Sequence, residues 1–482
     1  MRWHGILYAV GLLTLFFGLT MAVSLMASLL LQDGSHMPVL ISLLITIVFG
    51  GVLATAFRKA DFTQIRQREG MAIVFFGWAA MGLFGALPFY LGSEGLAFTD
   101  ALFESVSGFT TTGASIFTHI EQQSKGILFW RSFIQWLGGM GIIVLSLAVL
   151  PFLKVGGMQL YKAEVPSPVP DKLKPRIQET AMTLWKVYIL FSFVQVLLLM
   201  LGGMTIYDAV CHAFTTMPTG GFSTKNASIA HYNSAYLDTV FILFMFMAGI
   251  NFSLHYQMLK GRPLAIWRDA EGRFFILFAL LLVLVVSWDI FGKVYHSVGE
   301  AVRFGAFQVL SILTTTGFAT ADYETWPAMS QLILLLCMFV GASAGSTGGG
   351  IKCLRIMLLF KYCTRELFSL VHPRSITHIK MNGKTIPEEI VRSVLGFLGL
   401  YIGLYVVCAI LLAGIGVDFV TALTAVAACI GNIGPGFGMV GPAENYAAIP
   451  VLGKWLLIWC MLLGRLEIYT VIILLAPEFW RK

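Results

Sequence analysis

Charge is what this sequence has least of: 12% of its 482 residues are Asp, Glu, Lys or Arg, against 57% hydrophobic. A water-soluble chain of this length needs far more charge to cover its surface, so that class is excluded. Paired cysteines are missing too. The seven cysteines are scattered, mostly in apolar stretches, with no CxxC, which argues against a disulfide framework and a thiolate metal site. The nine histidines never stand in ligand spacing with a second His or a Cys pair. No nucleophile with a base, and no His/Asp cluster, offers an enzyme's site. A nucleotide loop is also lacking. Gly345 and Gly350 have the separation of a Walker motif, but Ile351 intrudes before Lys352 and no strand precedes them.

What the chain has in abundance is long apolar runs, with a mean hydropathy of +0.82. Stretches of about 20 such residues recur throughout, each long enough to cross a hydrocarbon core roughly 30 Å thick. The first, over 5–31, is too long for a signal peptide's apolar region and lacks a cleavage site, so it reads as a retained helix. The formal charge of +7 is topological, with no bearing on nucleic acid. Its cations cluster at Arg58, Lys59, Arg66 and Arg68; at Lys162, Lys172, Lys174 and Arg176; at Lys260, Arg262, Arg268 and Arg273; at Lys361, Arg365, Arg374, Lys380 and Lys384; and at Arg481 and Lys482. The intervening loops are poor in Lys and Arg. That alternation predicts a multi-pass protein with both termini in the cytoplasm.

Internal repetition organises the rest. Two apolar segments, 5–31 and 38–57, come first. A unit of long helix, short helix, Gly-containing loop and long helix then occurs four times. The long segments lie near 70–91 and 126–153, 180–202 and 235–258, 272–291 and 328–360, and 391–413 and 451–476. The short ones, 99–109, 206–217, 300–313 and 418–429, run roughly 10–14 residues and cannot span, so each reads as a re-entrant half-helix. The expected fold is all-α and membrane-integral: two N-terminal transmembrane helices, then four helix–pore loop–helix repeats around one pseudo-fourfold pore. Its expected divisions are an N-terminal helix pair (1–69) and repeats over 70–176, 177–271, 272–389 and 390–482.

The loops carry the chemistry. They read Thr110-Thr111-Thr112-Gly113-Ala114, Pro218-Thr219-Gly220-Gly221-Phe222, Thr314-Thr315-Thr316-Gly317-Phe318 and Asn432-Ile433-Gly434-Pro435-Gly436. Gly113, Gly220, Gly317 and Gly434 recur at intervals of roughly 100 residues. Non-helical backbone at membrane depth survives only where it lines a cavity or is buried in protein. Four converging loops would present carbonyl oxygens able to replace a cation's hydration shell, and each half-helix would aim its partially negative C-terminal end at the ion. Asp100, Asp208, Glu300 and Asp418 stand where those helices begin, as caps or as ion-attracting residues.

On these motifs (TTTGAS at 110–115, MPTGGFST at 217–224, TTTGF at 314–318 and NIGPGFG at 432–438) the sequence resembles the Trk/Ktr/HKT superfamily of potassium transporters, and within it the bacterial Trk-type membrane subunit. The likeness covers essentially the whole chain. It implies potassium bound by backbone carbonyls around Thr111, Thr112, Gly113, Thr219, Gly220, Thr315, Thr316, Gly317, Asn432, Ile433 and Gly434. Relatives that prefer sodium can carry serine at the first filter position, so Gly113 favours potassium. Only the first and third loops keep the threonine run of tetrameric potassium channels, which implies fewer ordered ion sites.

The glycine-rich run 341–350 cannot be ordinary helix, since each Gly costs up to ~1 kcal/mol relative to Ala. Through Gly345, Ser346, Thr347, Gly348, Gly349 and Gly350 it resembles the family's intramembrane gating loop; close packing of small residues is the competing account. Arg465 is expected inside the last transmembrane helix. In the family the matching arginine faces the pore, whereas a structural ion pair to another helix is the alternative, with Glu467 at i+2 a poor partner. Lys352 is a second such cation. The resemblance further implies a homodimer in a bacterial inner membrane and a cytosolic ring of nucleotide-binding regulatory subunits. The basic segments 154–176 and 361–392 would dock that ring or serve as plain positive-inside linkers. Gated permeation down the electrochemical gradient is the expected mechanism, because ~100 mV supplies about 2.3 kcal/mol per monovalent charge. A proton- or sodium-coupled symporter is the alternative.

Overall fold

The computed structural model describes residues 1–59, 67–92, 96–141, 177–375 and 377–481. Helix α1 (Trp3–Leu31) and α2 (His36–Ala56) form an antiparallel pair. Small residues bring them together: a Cβ on Gly50 would come within 3.0 Å of the Leu15 backbone. Then follow α3 (Gln67–Gly85), α4 (Leu87–Gly92), α5 (Phe98–Phe109) and α6 (Lys125–Trp136), the last running into a π-helical turn at Leu137–Gly141. The remainder of the helix expected to 153, the cation cluster Lys162–Arg176 and the segment 154–176 lie outside the described residues.

The chain continues as α7 (Ile177–Leu201), α8 (Ile206–Thr216), α9 (Ala235–Ala248), α10 (Phe252–Leu259), α11 (Ala265–Arg268), α12 (Ala270–Ile290), α13 (Val298–Leu313) and α14 (Ala328–Cys337). Next come α15 (Cys353–Val371), α16 (Glu388–Gly414), α17 (Phe419–Ile430), α18 (Val451–Arg465), α19 (Ile468–Ile472) and α20 (Pro477–Trp480). Six described helices are long and apolar enough to cross a membrane, or eight if two bent pairs each count as one span. Their outward faces are apolar and open, as at Ile41, Leu44, Val48 and Val52 on α2 and Leu277, Leu281 and Leu284 on α12. In water such a surface would drive aggregation; against hydrocarbon it is the expected lining.

Among the described residues three expected long helices are sharply broken. The one expected over 235–258 bends by 103° between α9 and α10. There the Asn251 side chain caps the Ser253 N–H, and the Gly249 carbonyl turns to accept from Ser343. The one expected over 451–476 bends by 119° after Arg465, where Glu467 adopts the left-handed region. Arg465 therefore ends a helix and does not lie within one. The third, expected over 328–360, gives way to irregular backbone from Met338 to Lys352, a wider gap than the glycine run alone.

Among the described residues one element departs from the all-helical expectation. Within the basic segment 361–392, strands β1 (Lys380–Met381) and β2 (Lys384–Thr385) pair antiparallel, Lys380 opposite Thr385. Asn382 and Gly383 both have positive φ, and an Asn-Gly pair favours the tightest hairpin turn. Asn382 also bonds Asp269 and the Ala270 N–H, fastening the hairpin to the start of α12.

Candidate ion site and intramembrane loop

Short helices α5, α8, α13 and α17 each deliver a loop of the same backbone form. Thr111, Thr219, Thr315 and Asn432 occupy the left-handed region, at φ 51°, 57°, 60° and 54°. Two residues on, Gly113, Gly221, Gly317 and Gly434 have positive φ, at 80°, 75°, 83° and 99°. The residue between donates its N–H back to the helix: Thr112 to Ser107, Gly220 to Thr215, Thr316 to Ser311 and Ile433 to Ala428. Asparagine visits this region readily, whereas the three β-branched threonines are held there by the surrounding structure, and the glycine two residues on takes positive φ without strain.

The second loop's register is thus one residue later than its spacing suggests. Gly221, and not Gly220, stands where Gly113, Gly317 and Gly434 stand, while Gly220 takes the place of Thr112 and Thr316. A Gly-Gly doublet hides this in the sequence, because either glycine fits the interval.

The four loops close into a ring. A Cβ on Gly113 would come within 3.0 Å of the Gly220 carbonyl oxygen, and one on Gly221 would do the same to Thr316. Gly317 stands so against Ile433, and Gly434 returns to Thr112. A cavity of about 80 Å3 opens on these four glycines, with Ser115, Asn226, Glu444 and Tyr446 in its wall.

Braces differ from loop to loop. In the first, Thr110 and Thr112 share a hydroxyl hydrogen bond of 2.7 Å; in the third, Thr314 and Thr316 share one of 2.8 Å. The second is held from α6, where Gln135 grips Gly220 and Phe222. In the fourth, the Asn432 amide donates to Thr112 Oγ1 and to the Met461 carbonyl, both at 3.0 Å. Tyr446 donates to the Gly434 carbonyl at 2.6 Å and Tyr323 to Gly436 at 2.9 Å. Behind the ring, buried Arg131 pairs with buried Glu104 at 2.5 Å. Glu104 also accepts from the Ile116 N–H and Ser115. Sequence reasoning missed Glu104, Arg131 and Gln135. The signal was available for the charged pair: both stand in apolar segments, the criterion that singled out Arg465.

The acids at the short helices' starts behave individually. Asp418 caps the Thr421 N–H, but Asp100 pairs with Lys454 at 2.6 Å and Asp208 bonds Thr205 and Thr224.

Beneath the ring lies the 338–352 loop. Gly349 donates its N–H to Thr315 Oγ1 at 2.7 Å, and Thr347 donates its hydroxyl to the Met217 carbonyl at 2.9 Å. One oxygen of buried Glu271 accepts from both Ala344 (2.6 Å) and Leu354 (3.0 Å), pinning the loop's two limbs. Phe252 donates to the Gly345 carbonyl, and the Lys352 ammonium lies on Gly348 O. Arg465 donates to the carbonyls of Thr347 (2.9 Å), Gly138 (2.7 Å) and Gly139 (3.0 Å). Among the described residues its hydrogen-bond partners are carbonyls. Glu467 pairs instead with Arg355. Gly345, Ser346, Thr347, Gly348, Gly349, Gly350, Lys352 and Arg465 are therefore drawn together directly below the ring.

Spanning helices enclosing an intramembrane ring of backbone oxygens, with a loop seated under it, define a helical multi-pass membrane protein of the transport class. Comparison with known proteins agrees. The family model described as TrkH, cation transport protein, matches residues 35–482. The chain belongs to that family. Curated relatives include the Trk system potassium uptake proteins TrkH of Salmonella typhimurium and of Escherichia coli K12, each 42% identical over the full length of both chains. Halomonas elongata TrkI is 35% identical across 100% of this chain and 98% of its own. The crystal structure of the potassium transporter TrkH from Vibrio parahaemolyticus superposes with a TM-score of 0.89, at 37% identity and complete coverage of both chains.

Proposed function

We propose that this protein admits potassium ions to a bacterial cell by gated permeation down their electrochemical gradient. The observation that carries the reading is the closed ring in which each loop's glycine meets the next loop's carbonyl. On this reading the chain is four pore repeats about one pseudo-fourfold axis, preceded by α1 and α2. The carbonyls of Thr111–Gly113, Thr219–Gly221, Thr315–Gly317 and Asn432–Gly434 replace the ion's water. The short helices' C-terminal ends add negative potential at the same place. The names and full-length likeness of the potassium uptake relatives support potassium as the cargo.

Gating falls to the loop under the ring. Arg465 fastens it through Thr347 and adds a positive charge on the inner side, which opposes a cation's exit. Withdrawing the loop removes the first obstacle and releases Arg465 from Thr347. Both termini face the cytoplasm, the protein is a homodimer, and a cytosolic ring of nucleotide-binding subunits moves the loop.

The test is potassium uptake by purified protein in liposomes under an imposed potential, with sodium as competitor. Uptake that follows the potential and resists sodium supports the proposal. Uptake that requires a proton or sodium gradient would replace it with a coupled symporter.

A further inference from the structure

Helix α6 presents Arg131 and Gln135 four residues apart, hence on one face. Both reach across to the second loop. Gln135 is fully buried; its Nε2 donates to the Gly220 carbonyl at 2.7 Å and its Oε1 accepts from the Phe222 N–H at 3.1 Å. Arg131 donates to the Ser223 carbonyl at 2.8 Å and lies 3.6 Å over the Phe222 ring, with its charge balanced by Glu104. The second loop is thereby held at three backbone positions, Gly220, Phe222 and Ser223, by a helix more than eighty residues upstream.

The Gly220 carbonyl belongs to the ring set formed with those of Thr112, Thr316 and Ile433. Among the described residues it is the only one of the four that accepts a side-chain hydrogen bond. An oxygen already accepting an N–H has less of its lone-pair density free for a cation. Its neighbours' oxygens carry no such debit. Selectivity between alkali cations depends on the number and field strength of the coordinating carbonyls, and a stronger field favours the smaller ion.

We propose that Gln135 is a positioning residue for cation selectivity: by holding and partly neutralising the Gly220 carbonyl, it keeps the ring's field low enough to favour potassium over sodium. This rests on the reading of the ring as an ion filter. Removing the donor frees the fourth carbonyl to close on a smaller ion.

Three variants test it, with potassium-to-sodium permeability ratios from reversal potentials of reconstituted protein and melting temperature as the second readout. Gln135→Met removes both hydrogen bonds at similar volume. Gln135→Glu keeps an acceptor for Phe222 but withdraws the donor from Gly220. Gln135→Asn, one methylene shorter, carries the test if the methionine variant does not fold. The ratio should fall by about fivefold in all three, the discrimination commanded by the net worth of one hydrogen bond. A wild-type ratio in Gln135→Met or Gln135→Asn with a lowered melting temperature would make the residue a plain brace and overturn the proposal. So would a wild-type ratio in Gln135→Glu alone, because the Phe222 anchor would then be what matters. A wild-type protein that does not discriminate would instead sink the filter reading itself.

Discussion

The first and third loops of the ring are braced from within, and the second and fourth from outside. Thr110 with Thr112, and Thr314 with Thr316, each close a hydroxyl pair across a single residue. The second and fourth loops have Gly220 and Ile433 where the others have threonine, and so cannot make that pair. Their support comes from α6, from the chain near Met461, and from Tyr323 and Tyr446. A loop that cannot close a hydroxyl pair of its own is braced by a distant part of the chain instead. Such loops share a shape without sharing a reason for it.

Gly113→Ser should have the largest effect on ion selectivity. A side chain there meets the Gly220 carbonyl, so it strikes an internally braced loop and an externally braced one together. We expect the potassium-to-sodium ratio in reconstituted protein to drop by about tenfold, equal to roughly 1.4 kcal/mol of discrimination. An unchanged ratio would remove the first loop from the proposed filter. Next comes Asn432→Ala, which cuts both amide hydrogen bonds of the fourth loop and leaves buried acceptors bare. Its cost should be roughly 2–4 kcal/mol, read from denaturation in detergent.

A matched pair separates the two kinds of brace. Thr112→Val severs the internal pair and also the Asn432 bridge, whereas Thr316→Val severs an internal pair alone. The first should cost about 2 kcal/mol and the second about 1. Equal costs would show that the bridge to Asn432 contributes nothing. Tyr446→Phe should be the mildest, at about 1 kcal/mol or less, since it strips a single donor from Gly434. A melting temperature shifted as far as that of Asn432→Ala would mean that the tyrosine, and not the asparagine, is the fourth loop's principal support.

The same contrast explains what could be read in the sequence. The threonine run before Gly113 and Gly317 is local information, and so are the short apolar helices, whose observed limits lie within two residues of the expected ones. Gln135 acts 85 positions from Gly220, and Asn432 acts 320 from Thr112, so no window of sequence contains either pair. Register within a Gly-Gly doublet is hidden because both residues permit the same backbone. The helix breaks at Gly249 and Glu467 escaped for a related reason: apolar composition fixes burial, while the partners that reward a bend, Ser343 and Arg355, lie far along the chain. Arg465 was noticeable as a cation among apolar residues, but its carbonyl partners were not.

The hydrogen bond from Gly349 to Thr315 joins the lower loop to the ring without an intermediary. Two equilibria that share a contact are thermodynamically linked, and the linkage is reciprocal. If loop release alters the ring's hold on an ion, ion occupancy must alter loop release by the same factor. On the proposed function potassium is then an effector of its own passage as well as the cargo, and amide exchange at Gly349 of the purified protein should change with potassium concentration.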